Sequence, residues 1–110
     1  MSYFVKTTKE FESELKQLSK KYPSLSADCF ELIQLLKSDP QQGVPLGMGC
    51  YKVRLSIKSK RRGKSGGARV VTYVHITKKS VTLLSIYDKS ERESITMGAL
   101  KQLLSGVDKD

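Results

Sequence analysis

Residues Cys50 to Tyr73 read CYKVRLSIKSKRRGKSGGARVVTY, and the fold follows from how this stretch divides. Its first part alternates with period two. Tyr51, Val53, Leu55 and Ile57 fall on one side of an extended chain, and Lys52, Arg54, Ser56 and Lys58 on the other. Lys58 to Gly67 is too polar and glycine-rich for a strand interior and reads as a mobile hairpin connection. Alternation resumes from Ala68 to Thr77, where Val70, Val74 and Ile76 are expected in the core and Arg69, Val71, Tyr73 and His75 opposite. Between Lys52 and Arg69 lie eight basic residues and no acidic one: Lys52, Arg54, Lys58, Lys60, Arg61, Arg62, Lys64 and Arg69. The whole chain is +9, from 20 Lys and Arg against 11 Asp and Glu, so the rest is close to neutral. A positive field this concentrated, carried on two strands, is the footprint of a surface that meets phosphates.

Outward from that hairpin, the pattern is mixed α and β. Ser2 to Lys6 (SYFVK) predicts a first strand. Thr7 and Glu10 have capping-box spacing, and Phe11, Leu15, Leu18 and Tyr22 repeat at helical intervals until Pro23. A second helix follows, capped by Ser24 or Ser26, with Leu25, Cys29, Leu32, Ile33 and Leu36 on its apolar side. Two amphipathic helices so closely joined are expected to lie antiparallel and share one seam. Asp39 to Gly49 (DPQQGVPLGMG) reads as a loop. Lys78 to Ser80 is a turn, and the strand Val81 to Tyr87 is expected to send Leu84 and Ile86 inward. Its outer row is then Leu83, Ser85, Tyr87 and Lys89. Pairing Thr77 with Val81 places Val71 across from Tyr87 and Arg69 across from Lys89. Ser94 to Val107 predicts a third helix, and Tyr3, Phe4, Phe11 and Phe30 are expected in the core. The fold class is α+β: two antiparallel N-terminal helices on a small, mainly antiparallel sheet (β-α-α-β-β-β), with a C-terminal helix.

At 110 residues the chain is expected to form a single domain over 1–110. No apolar run approaches a membrane span and no signal-peptide pattern follows Met1, so the cytoplasm is the expected location. Cys29 and Cys50 lie within apolar patterns and are expected as reduced, packed thiols. Two cysteines and one histidine make no plausible metal cage, so chemistry without metal or cofactor is expected. Gly63-Lys64-Ser65 is not a phosphate-binding P-loop, because Lys58 stands where that motif needs glycine. His75 lies along the strand away from Arg69 and reads as a rim histidine.

Collected by parity, the outer face holds Lys52, Arg54, Arg69, Tyr73, Tyr87 and Lys89, with Lys58, Lys60, Arg61, Arg62 and Lys64 above it. Cations interleaved with tyrosines suit RNA: ammonium and guanidinium groups hold phosphates, and aromatic rings stack on unpaired bases. YKVRL, KSGGARVVTYV and LLSIYDKSE together resemble the RelE/ParE superfamily of bacterial toxins, and more closely its HigB-like branch. The resemblance spans roughly residues 2–95. It implies the toxin of a type II toxin–antitoxin system, an endoribonuclease that cleaves messenger RNA in the ribosomal A site and is neutralised by a cognate antitoxin in a heteromeric complex. Carried onto this chain, the strand cations correspond to Lys52 and Arg54, the arginine opening the next strand to Arg69, and the lysine after the last core strand to Lys89. Two positions depart from RelE. Its C-terminal tyrosine falls near Ser94 and Ile95, and the arginine after its strand-end lysine is Ser90 here. HigB-like members carry tyrosine at the place of Tyr87, which transfers the aromatic role there.

Cleavage of RNA by its own 2′-OH needs loss of the 2′ proton, stabilisation of charge on the phosphorane, and protonation of the 5′ oxygen. The expected assignment puts Arg54 and Arg69 on the phosphate, Tyr87 or Lys52 as general base, and Lys89 as acid or second clamp. Lys58 to Lys64 would grip ribosomal RNA, and Tyr73 would stack on a base or merely cover the sheet. Two rivals remain at this point: a ParE-like toxin that inhibits DNA gyrase without nuclease activity, and a non-catalytic RNA-binding module.

Overall fold

The computed structural model describes residues 2–60, 67–92 and 94–107. The elements run β1 (Phe4–Thr7), α1 (Lys9–Lys21), α2 (Leu25–Ser38), β2 (Val44–Gly47), β3 (Cys50–Leu55), β4 (Ala68–His75), β5 (Ser80–Asp88) and α3 (Met97–Ser105). One five-stranded sheet has the order β1-β5-β4-β3-β2, parallel only between β1 and β5. The α+β class and its helix–helix–hairpin order are as the sequence predicts, with one strand more.

That strand is β2, inside the stretch read as a loop. Gly47 pairs with Cys50, leaving Met48 and Gly49 as a two-residue connection, both at positive φ (56° and 78°). Such a turn matches the twist of the strands it joins. Pro45 is tolerated because β2 is an edge strand. Gly43 sits at φ +91°, and a Cβ there would come within 2.2 Å of the Lys52 carbonyl oxygen.

Both N-terminal helices pack on one face of the sheet. Phe11, Leu25, Leu36, Val70, Leu83 and Ile86 form the centre of that core. The cap of α1 is Thr8 rather than Thr7: its side chain accepts from the Phe11 amide at 3.1 Å, while Thr7 donates to Glu12. A cap of this kind stabilises a helix by about 1 kcal/mol. Ser24 stands at the cap of α2, but its hydroxyl donates to Asp28 instead of capping the backbone. The opposite face carries α3, whose Leu100 and Leu104 cover Cys50, Val71, Leu84 and Tyr87. Cys29 and Cys50 are buried free thiols.

Several expected positions move. The strand pairing shifts between Val71 and Thr72, which oppose Ser85 and Leu83, so Leu84 is an extra residue in β5. This bulge reverses the parity of everything before it. Leu83 therefore joins the helix-facing core and Leu84 the α3 side, the reverse of the simple alternation. The hairpin turn also closes differently, with His75 opposite Ser80 in place of Thr77 opposite Val81; together with the one-residue bulge this puts Arg69 opposite Tyr87 rather than Lys89. Ile76 lies past the end of β4 and is 61% exposed. Phe4 and Phe30, expected in the core, are also exposed, because β1 is an edge strand and Phe30 faces away from the helix seam. The third helix is shorter than predicted, though Ile95 and Val107 beyond its ends still pack against its cluster.

Beyond Thr7 the outer edge of β5 has no strand partner, and α1 supplies one atom in its place. Glu14 accepts from the Ile86 amide at 3.1 Å and from the Ser85 hydroxyl at 2.7 Å.

Candidate nucleic-acid interface

The register of the three central strands assembles the site. Arg54 pairs with Arg69 across β3 and β4, and Arg69 pairs with Tyr87 across β4 and β5. Three side chains that sequence alternation places on one face thus stand in a single row. Neighbouring strands lie about 4.8 Å apart, so the row crosses roughly 10 Å, the scale of one nucleotide's phosphate and sugar. Lys52, two residues from Arg54, shares its face and pairs with Val71.

Burial grades along this row. Arg54 is exposed, Lys52 half-buried, Arg69 only 5% exposed and Tyr87 6% exposed. Arg69 donates to the Ala68 carbonyl at 3.1 Å, and no carboxylate among the described residues pairs with it. A covered guanidinium with a like charge on the next strand and no acid beside it is an arrangement that an anion would complete. The Tyr87 hydroxyl is buried and has no hydrogen-bond partner among the described residues. Burial raises its pKa, which the charges of Arg92 and Arg69 partly offset. Tyr87 is therefore a neutral phenol at physiological pH, suited to donate a proton rather than take one.

Arg92 was not legible as a member of the site. It falls in the charged run KSERES, yet its guanidinium lies 5.0 Å from the Tyr87 ring centroid, in cation–π geometry. Lys89 begins the turn after β5; its amide donates to the Gly67 carbonyl at 3.1 Å and its side chain is half-buried.

The remaining expected residues are placed differently. Tyr73 lies four residues along β4 from Arg69, about 13 Å away at strand rise. It packs beside the α3 cluster with its ring edge-on to His75 (centroids 6.0 Å apart). His75 accepts from the Lys78 amide in the following turn, which fits a rim histidine. Lys58 pairs with Glu31 at 3.0 Å in an exposed ion pair, an arrangement that contributes little to stability. Lys60 reaches inward to Asp88 at 3.1 Å and lies over the Tyr22 ring. Arg61, Arg62 and Lys64 lie outside the described residues.

No family model matches the chain. Solved structures do match it. Free E. coli toxin RelE, as a mutant with two arginines changed to alanine, aligns over 93% of this chain and 98% of its own, with 19% identity and a TM-score of 0.65. The fold is that of the RelE toxins. A chain of the Mycobacterium tuberculosis RelBE2 toxin–antitoxin complex aligns over 80% of this chain and 99% of its own, at 18% identity and TM-score 0.56. A chain of the intact E. coli RelBE toxin–antitoxin complex does so over 77% and 94%, at 25% identity and TM-score 0.53. Among the described residues, no helix of this RelE-like fold is long and apolar enough to cross a membrane.

Proposed function

We propose that the protein is the toxin of a type II toxin–antitoxin pair, an endoribonuclease that cuts messenger RNA on the ribosome without a metal ion. The observation that carries this reading is the row Arg54–Arg69–Tyr87 on the RelE fold, with a covered guanidinium and a buried phenol that find no carboxylate and no hydrogen-bond partner, respectively, among the described residues. A surface that only bound protein would have no reason to hold an arginine beneath it without a carboxylate, which speaks against a gyrase-directed relative. Solved structures of RelBE toxin–antitoxin complexes, which share this fold, support a cognate antitoxin as partner.

In the proposed reaction the 2′ oxygen attacks the adjacent phosphorus and the bond to the 5′ oxygen breaks. The products are a 2′,3′-cyclic phosphate and a free 5′-OH. Arg54 and Arg69 neutralise the charge that grows on the non-bridging oxygens, the largest contribution a fixed site can make. Tyr87, kept neutral by burial, gives its proton to the departing 5′ oxygen. Lys52, on the same face two residues from Arg54, is the general base that takes the 2′ proton. Lys89 holds a neighbouring phosphate.

The test is cleavage of ribosome-bound mRNA by wild type, Arg69→Ala and Tyr87→Phe, with the 3′ ends analysed chemically. Wild type should leave cyclic phosphate, and each variant should be slower by about 100-fold or more. Full activity in both variants, or inhibition of DNA supercoiling in place of cleavage, would overturn the reading.

A further inference from the structure

Asp88 ends β5 with its side chain on the helix-facing side, fully removed from solvent. Four donors reach its carboxylate: the Tyr22 hydroxyl at 2.5 Å, the Lys60 ammonium at 3.1 Å, and the Ser90 amide and hydroxyl at 2.9 and 2.8 Å. Its own carbonyl accepts from the amides of Glu91 and Arg92 at 3.0 and 3.1 Å. One residue thus ties together the end of α1, the root of the basic hairpin and the turn that leaves the sheet. The end of that turn is Arg92, which stands over Tyr87.

We propose that Asp88 is a positioning residue: gripped by Tyr22 and Lys60, it fixes the 88–92 turn so that the Arg92 guanidinium stays over the Tyr87 ring beside the arginine row. The inference rests on the nuclease reading for its purpose, but its geometry can be tested without activity. A carboxylate needed only for stability requires no particular exit path for the chain. Here two of its four bonds, and both bonds to its carbonyl, act on the turn itself. Loosening that turn shifts the cation beside the Tyr87 phenol by an ångström or more, and a misplacement of that size near the reacting groups can slow a reaction by about 100-fold.

The experiment compares wild type, Asp88→Asn, Tyr22→Phe, Arg92→Ala and the Asp88→Asn/Arg92→Ala double variant. Tyr87 titration is followed by NMR on 13C-labelled tyrosine, and single-turnover cleavage is measured at saturating ribosomes. Asp88→Asn should titrate Tyr87 at higher pH, as its neighbouring cation drifts away, and slow the cleavage step 10- to 100-fold with ribosome affinity kept within about 2-fold. Tyr22→Phe, which keeps the charge, should move both readouts the same way by less. The double variant should be no slower than Arg92→Ala alone, since both act through one guanidinium. An unmoved Tyr87 titration in folded Asp88→Asn and Tyr22→Phe, or rate losses that multiply in the double variant, would overturn the proposal. A wild type that does not cleave would sink the nuclease reading, while the titration would still decide the role of Asp88.

Discussion

Replacing Arg69 by methionine should make the protein more stable and less active. In the folded state Arg69 is 5% exposed, faces Arg54 on the next strand, and donates one hydrogen bond, to the Ala68 carbonyl. Like charges directly opposite across a sheet destabilise by roughly 0.2–1 kcal/mol. Replacing buried charged groups with apolar side chains of similar volume has stabilised other proteins by about 1–4 kcal/mol. Against these gains stands the bond to the Ala68 carbonyl, worth about 1 kcal/mol. The balance is a stabilisation of about 2 kcal/mol, or roughly 8 °C in Tm for a domain of this size. Urea unfolding at low and high NaCl is the assay. Wild type should gain stability with salt as the Arg54–Arg69 repulsion is screened, and Arg69→Met should not. Cleavage should fall by about 100-fold or more in the same variant. An Arg69→Met protein that unfolds at clearly lower urea under both conditions would refute the reasoning, because Arg69 would then be a structural post and not a held-ready phosphate ligand.

Gly67→Ala should destabilise sharply: the new Cβ would sit 2.4 Å from the Leu55 carbonyl oxygen, on backbone that cannot swing away, and thermal unfolding reads the loss. Gly98→Ala, with open space around it, should leave Tm unchanged or slightly higher. Asp88 should shape the acid limb of stability. Burial alone would raise its pKa, but hydrogen bonds from Tyr22, from the amide and hydroxyl of Ser90, and from Lys60 together hold it well below the usual carboxylate range. Its stabilisation is complete above pH of about 4 and is lost as pH falls toward the folded-state value. Urea midpoints measured from pH 5 down to pH 2 should therefore fall more steeply for wild type than for Asp88→Asn.

What could be read in advance depended on whether a residue's setting is local. The two helices, the β3–β4 hairpin and the α3 pattern carry their own periodicity, and all were legible. So was the shared face of Arg54 and Arg69, because parity along a strand is a local property. Edge strand β2 was hidden by Pro45 and by glycines that read as loop; its one signal was Met48-Gly49, a two-residue turn with methionine where asparagine is usual. The bulge at Leu84 could not be seen, since Leu83 and Leu84 are both apolar and either parity satisfies a core. The Arg69–Tyr87 pair was missed because the β4–β5 turn closes on His75 and Ser80, not on Thr77 and Val81, and the bulge recovers only one residue of that difference. Lys60 reads from the sequence as an RNA-facing cation and Asp88 draws no assignment there, because only the packed structure brings Tyr22 to them. Phe30 shows the converse error: an aromatic residue on an amphipathic helix is not obliged to face the seam.

Glu14 has a consequence for how the protein keeps to itself. Where β1 stops, the Ile86 amide would otherwise point outward from an apolar strand, an invitation for another copy to add itself sheet to sheet. The Glu14 carboxylate occupies that donor and surrounds it with negative charge. Overproduced Glu14→Ala protein should accordingly polymerise through its open flank, so that a single carboxylate decides whether neighbouring copies stay apart, with light scattering as the readout.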